Sequence, residues 1–287
     1  MDVILDTDAF NEIDDQFAIA YLLKNQSQLN TVALYAAPFS NNRATTAEVG
    51  MEMSYQEIGK LLKLMDCNKP IFRGSTRYMV DEQTPVISDA VQDLVCRIRN
   101  YSPKNPLYIV AIGAITNIAS AILLEPCMRE NAVVIWLGGH AHHFHDTAEF
   151  NMRQDIAATR VVMSSGVRMV QLPCRGVVSG FTISRPELEY WLVGKNPLAD
   201  YLARNAIAEA ESYAAGTPWT RTIWDVVAVA WLLNDNNRYM HACRIPAKLP
   251  GYNCLYTNEC APEIEYVYYV CRDALMSDLI TKLTSTS

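Results

Sequence analysis

Two pairs of carboxylates stand close together near the start of the chain. The first sixteen residues read MDVILDTDAFNEIDDQ: Asp6 and Asp8 close a short apolar run, and Asp14 and Asp15 follow a five-residue elbow. Like charges crowded at one junction raise one another's pKa and repel, so the arrangement is costly unless a cation holds it. Several hard oxygen ligands suit Ca²⁺ or Mg²⁺. A plainer reading assigns Asp14 and Asp15 to a helix N-terminus, where acids are favoured. That reading leaves Asp6 and Asp8 without a task, whereas a bound metal ion employs all four.

The elements that must position these acids can be read from hydrophobic pattern. Val3 to Leu5 reads as a buried strand, and Phe17, Ala18, Ala20, Tyr21, Leu22 and Leu23 as the apolar face of a helix. Further apolar strands are expected at 31–37, 70–74, 107–113, 132–137, 168–172 and 263–270. Between them, helices are expected at 43–65, 89–99, 118–124, 153–164 and 224–233, with two or three more between 186 and 215. Gly50 and Gly59 argue against one straight helix over 43–65, because glycine weakens a helix interior. Residues 75–87 read as a long loop. Apolar strands alternating with helices predict an α/β fold: a single open, mainly parallel sheet with helices on both faces. No repeat or linker divides the chain, so one domain over 1–287 is expected. In such sheets ligands bind beyond the carboxyl ends of the strands. The polar residues expected there are Asp6 and Asp8, Asn41 and Asn42, Thr116 and Asn117, and the loop after Gly139.

Composition narrows the classes. Half of the 287 residues are hydrophobic, enough for a sizeable core, and the net charge is −7. An acidic chain without a Lys/Arg-rich run argues against nucleic-acid binding. No apolar run approaches the roughly 20 residues of a membrane span. The N-terminus enters a strand at once, so no signal peptide is expected. The eight cysteines are scattered without a C-x-x-C pair, which fits reduced thiols in the cytoplasm and argues against structural zinc.

Taken together, four blocks resemble the inosine–uridine-preferring nucleoside hydrolases. Asp6-Thr7-Asp8 followed by Asp14-Asp15 is similar to their D-x-D-x-x-x-D-D motif, with an elbow two residues longer. Residues 113–119, GAITNIA, resemble G-x-L-T-N-x-A. Gly138-Gly139, then Ala148-Glu149-Phe150-Asn151 and Asp155, resemble a G-G…A-E-F-N…D-P block. Trp224-Asp225 stands where the family usually has His-Asp. The resemblance implies a Ca²⁺ ion held by Asp8, Asp15, the Thr116 main-chain carbonyl and Asp225. It further implies that Asp14 orients the ribose 2′-hydroxyl, that Glu149 and Asn151 grip the 5′- and 3′-hydroxyls, and that the protein is a homodimer or homotetramer acting in nucleoside salvage.

The expected chemistry is hydrolysis of an N-glycosidic bond in a small-molecule ribonucleoside. A divalent ion lowers the pKa of its water and aligns the substrate, Asp8 takes the proton, and dense negative charge supports the cationic sugar of the transition state. The base half of the site departs from the family. Trp224 replaces a histidine linked to leaving-group protonation, Asn41 or Asn42 would have to replace a Gly-Asn pair, and His143 stands near the usual place of an asparagine. Four of the five histidines (His140, His142, His143 and His145) fall within six residues. Their spacing lies in a loop without a cysteine pair, which suits a lid or surface segment better than a tetrahedral zinc site. Within it, His143 or His145 is the candidate base contact or proton donor. Two other readings fit the first motif: an aspartyl-nucleophile phosphohydrolase, against which Phe10 stands in place of Thr or Val, and a non-catalytic Ca²⁺/ribose-binding relative.

Overall fold

A computed structural model describes residues 1–285. The strands are β1 (Asp2–Thr7), β2 (Asn30–Ala36), β3 (Ile71–Arg73), β4 (Leu107–Ala111), β5 (Ala132–Leu137), β6 (Arg168–Leu172), β7 (Thr182–Ser184), β8 (Thr220–Thr222), β9 (Met240–Pro246) and β10 (Glu263–Val270). The helices are α1 (Asp14–Lys24), α2 (Ala47–Leu64), α3 (Asp89–Ile98), α4 (Thr116–Leu124), α5 (Met128–Asn131), α6 (Phe150–Gln154), α7 (Ile156–Ser164), α8 (Arg185–Trp191), α9 (Pro197–Ala214), α10 (Val226–Trp231) and α11 (Arg272–Thr284).

Eight strands form one sheet in the order β3-β2-β1-β4-β5-β6-β10-β9. Its pairings are parallel except for the antiparallel edge pair β9/β10. β7 and β8 pair separately as a small antiparallel ribbon. Alternate residues of each strand face opposite sides, and both sides are apolar. Val3, Leu5, Val110, Ile135 and Leu172 join one core with α1, α2, α9, α10 and α11. Ile4, Ile109, Val134 and Met169 join a second core with α3, α4 and α7. The mainly parallel α/β sheet expected from the sequence is therefore observed.

Several details differ from the sequence reading. The helix expected at 153–164 is two helices, because Asp155 leaves helical geometry at φ −144° and caps α7 by accepting from the Ala158 N–H at 2.9 Å. α2 is continuous through both glycines. Gly50 is a packing requirement there, since a Cβ at that position would lie 1.9 Å from the Phe39 carbonyl oxygen. The sequence reading missed β7, β8, β9 and α11. β9 is the sheet edge, with only partial burial and no continuous apolar run to announce it. Among the described residues, no helix is long and apolar enough to cross a membrane.

Strand order reverses around β1: β2 and β3 lie to one side, and β4 to β6 to the other. A crevice opens at such a switch point beyond the carboxyl ends of the strands. The chain places Asp6, Thr7 and Asp8 at that end of β1, and Ile112 and Gly113 just beyond β4.

Candidate active site

A cavity of about 330 Å³ opens at this switch point, lined by Asp8, Asp14, Asp15, Glu149, Asn151, Trp224 and Asp225 among others. Two stretches far apart in the chain supply the acids. The β1 end provides Asp8, and the first turn of α1 provides Asp14 and Asp15. The residue before α10 provides Asp225. Oxygens of Asp14, Asp15 and Asp225 lie within 4.8 Å of one another. All four carboxylates are buried.

Neither helix start uses these acids as side-chain caps. Ile13 is the N-cap of α1, and Asp225, at the N-cap of α10, makes no side-chain capping hydrogen bond. The Asp225 carboxylate therefore lines the cavity instead of capping α10. Thr7 Oγ1 donates to Asp15 Oδ1 at 2.5 Å, while Asp8 Oδ2 and Asp14 Oδ1 have no hydrogen-bond partner although buried. Gly113 permits the crowding, because a Cβ there would stand 3.0 Å from Asp8 Oδ1.

The electrostatics follow. Burial pushes Asp8 well above the usual carboxylate range, and the Asp15 and Asp14 charges add to the effect. Burial does the same to Asp225, reinforced by Asp14, Asp15 and Asp8. Asp14 is raised by burial and by Glu12, against the opposing pull of Arg221. Asp15 is raised to about 7 by burial, with the Thr7 hydrogen bond resisting. Such a cluster resists full ionisation unless a cation neutralises it. The donor set is oxygen only, it is buried, and it contains orphaned oxygens, so these residues fit a hard divalent cation.

The sugar-side candidates are held from behind. The Glu149 carboxylate accepts from the backbone N–H groups of Gly139 (2.9 Å), Asn151 (2.9 Å) and Met152 (2.9 Å). Asn151 Nδ2 donates to the carbonyls of Ile112 (3.2 Å) and Leu137 (3.0 Å), which fixes its orientation. Both residues line the cavity.

Other candidates lie elsewhere. Thr116 is buried in the first turn of α4, donates from its hydroxyl to Asp155 Oδ2 at 2.7 Å, and is not among the lining residues; Ile112 is. Asp6 is braced by Asn117, whose Nδ2 donates to Asp6 Oδ1 at 2.7 Å. Burial raises Asp6 to about 7, with the Asn117 bond resisting. Asn41 and Asn42 line a neighbouring shelf rather than the main cavity. There Asn41 accepts from the Arg43 and Ala44 N–H groups and donates to Asn11 Oδ1 at 2.9 Å. His143 and His145 are exposed and are not among the lining residues. His140 is buried, lines the cavity and has no partner at Nδ1.

A family model described as inosine-uridine preferring nucleoside hydrolase matches residues 3–266. The chain belongs to that family. It is therefore an N-ribosyl hydrolase. The non-specific ribonucleoside hydrolase RihC of Salmonella enteritidis is 24% identical over 276 residues, covering 87% of this chain and 84% of the relative. Among solved structures, an inosine-guanosine nucleoside hydrolase superposes with a TM-score of 0.79 at 17% identity, covering 100% of this chain and 99% of the other. A plant nucleoside hydrolase superposes at 0.77 with 19% identity, covering 99% of each chain. At these identities the superpositions carry the α/β fold alone.

In this nucleoside hydrolase the cavity wall also includes Asn11, Glu12, Ile112, Leu137, Phe150, Arg153, Cys174 and Arg175, to which the sequence assigned no role, and His140, which it placed only in the histidine cluster. Asn11 and Glu12 come from the longer elbow. Glu12 pairs with Arg221 at 2.8 Å, Arg221 with Glu209 at 3.2 Å, and Arg43 with Glu209 at 2.5 Å. The Arg43 guanidinium also donates to the Asn11 carbonyl at 3.1 Å, closing a ring of contacts around the elbow. The extra length was visible in the sequence, but nothing in it showed which distant arginines would fasten it.

Proposed function

We propose that this site hydrolyses the N-glycosidic bond of a ribonucleoside with Ca²⁺ as its resident ion, releasing free base and ribose. The observation that carries the reading is the convergence of Asp14, Asp15 and Asp225 within 4.8 Å, beside Asp8, in a buried cavity. Asp8, Asp15 and Asp225 are the carboxylates that would hold the ion, with Asp14 beside them. Ile112, whose carbonyl already meets the Asn151 amide at the cavity wall, takes the main-chain role in place of Thr116. The bound ion would supply a water of lowered pKa and an anchor for ribose hydroxyls.

The protein's own groups do the rest. Asp8, with an orphaned oxygen, takes the proton of the attacking water. Asp14 accepts from the ribose 2′-hydroxyl. Glu149 and Asn151, fixed by backbone partners, receive the 5′- and 3′-hydroxyls. As the sugar turns cationic, the ring of acids stabilises it more than the neutral ground state, which is where catalytic benefit arises. Trp224 lines the cavity beside Asp225 and on this reading faces the base. On the same reading, the chain acts as one domain in cytoplasmic nucleoside salvage, as a homodimer or homotetramer.

The test measures ribose release from a nucleoside panel together with calcium binding by titration calorimetry. Asp8→Ala and Asp15→Ala are expected to lose turnover by a factor of about 10³ or more while keeping a native circular dichroism spectrum, and Asp15→Ala to lose calcium binding. Full activity in both variants would overturn the reading.

A further inference from the structure

We propose that the nucleoside taken by this site carries an anionic group, received at the cavity mouth by Arg153 and Arg175. The proposal rests on the reading of the site as a nucleoside hydrolase and names its substrate class.

Charge is segregated within the cavity. The four aspartates and Glu149 are buried at its floor, and the half-exposed Glu12 of the wall is paired with Arg221 at 2.8 Å, whereas Arg153 and Arg175 are exposed residues of the same wall. Other arginines around the site are committed to carboxylates: Arg43 to Glu209 (2.5 Å) and Arg221 to Glu12 (2.8 Å). Among the described residues, neither Arg153 nor Arg175 has a carboxylate partner. The chain carries 31 acidic residues against 24 basic ones, so an arginine at the edge of an acidic cavity without an acid is not explained by a shortage of acids.

Both side chains are presented by fixed backbone. Arg153 lies on α6, two residues after Asn151 and four after Glu149, with its guanidinium 5.4 Å from the centre of the Phe150 ring. It also borders the adjoining shelf, so it stands where the two hollows meet. The Arg175 carbonyl accepts from the Ala141 N–H at 2.9 Å. Gly176 follows at φ +89°, where a Cβ would press within 2.7 Å of Phe144 and 2.8 Å of Ala141. The turn is thus pinned against the 141–144 loop while the Arg175 side chain stays at the mouth. A planar guanidinium reads a carboxylate or phosphate with paired donors. With the ribose at the acidic floor, such a group would sit on the base as a carboxylate, which leaves the 5′-hydroxyl to Glu149, or on C5′ as a phosphate, which would take that hydroxyl's place and leave Glu149 without its donor. The shared chemistry is a compact oxyanion.

The experiment compares inosine and uridine, their 5′-monophosphates and 5-carboxyuridine, in saturating calcium, on the wild-type protein and on R153Q/R175Q. The expected result is a higher kcat/KM for the phosphates or for the carboxylated nucleoside than for its neutral parent. The anionic-to-neutral ratio is expected to fall about tenfold or more in the double variant. Whichever class shows the fall identifies the source of the oxyanion. Equilibrium binding of ribose 5-phosphate against ribose, and of 5-carboxyuracil against uracil, reads the same preference without turnover. No release of free base from any substrate, with oxyanion-dependent product binding retained, would sink the hydrolase reading and leave the arginine site. Hydrolysis of neutral nucleosides with no anionic preference, or a ratio unchanged in R153Q/R175Q, would sink the arginine site alone.

Discussion

Replacing Asp225 with asparagine should stabilise the protein without calcium and abolish its response to calcium. The argument starts from spacing. Asp225, Asp14 and Asp15 hold oxygens within 4.8 Å of one another, and two unit charges at that separation repel by about 3.5 kcal/mol at an effective dielectric of about 20. Protonation caps this cost, because burial and mutual repulsion raise these carboxylates. A net gain of about 1–3 kcal/mol is therefore the reasonable scale for Asp225→Asn in the presence of a chelator. For a chain of this size that corresponds to a rise in Tm of about 2–5 °C. Wild-type protein at a hundredfold excess of calcium over Kd should gain about 2.7 kcal/mol, while Asp225→Asn should gain almost nothing.

The same reasoning fixes a pH dependence. Asp15 has its folded value raised from 3.8 to about 7. In the chelated wild type the unfolded chain releases this proton first, so stability is greatest below about 4 and falls as pH rises through about 7. Calcium, which needs ionised ligands, should reverse the trend. Differential scanning calorimetry of wild type and Asp225→Asn at several pH values, with chelator and with calcium, measures all of this. The difference between the two proteins cancels groups outside the cluster. A chelated Asp225→Asn protein less stable than wild type, or one that kept the full calcium shift, would refute the electrostatic account.

Three further outcomes are expected. Gly113→Ala brings a Cβ to 3.0 Å from Asp8 Oδ1 and from the Ala37 Cβ, so Asp8 must shift by a few tenths of an ångström; kcat should fall about tenfold with a smaller change in KM. Gly50→Ala drives a Cβ to 1.9 Å from the Phe39 carbonyl and should cost about 3 kcal/mol, read from the urea midpoint, with ribose release unaffected per folded molecule. Arg221→Ala strips Glu12 and Glu209 of a shared partner that is itself nearly buried, and should lower unfolding free energy by about 2 kcal/mol, with Arg221→Lys recovering part of it.

The sheet was legible because parallel strands buried on both faces are continuous apolar runs, and β1, β2, β4 and β5 each show one, with β6 broken only by Gln171. β9 was not, since an edge strand with exposed Cys243 and Arg244 carries no such run. Nor was the α6–α7 break, where Asp155 serves at once as the cap of α7 and as the acceptor for Met79 N–H (2.9 Å) and the Thr116 hydroxyl (2.7 Å). Helical propensity favours continuity there, and tertiary hydrogen bonds overrule it.

The site divides in the same way. Carboxylates announce themselves in a sequence, because few structures tolerate four of them at strand and helix ends without a reason, and Asp8, Asp14, Asp15 and Asp225 do line one cavity. A main-chain carbonyl has no such signature. The resemblance pointed to the Thr116 carbonyl, yet Thr116 does not line the cavity, whereas apolar Ile112, one residue past β4, stands at the wall. The histidines repeat the lesson: His143 and His145 look available because they are polar and clustered, but the backbone turn that buries His140 leaves both exposed. Side-chain chemistry can nominate residues for a site, but strand order and the path of the loops decide which of them meet. The longer elbow is the clearest instance. Two extra residues looked like a departure from the motif, and the Arg221–Glu12 pair makes them a fixed part of the wall, beside the acids that the motif was read for.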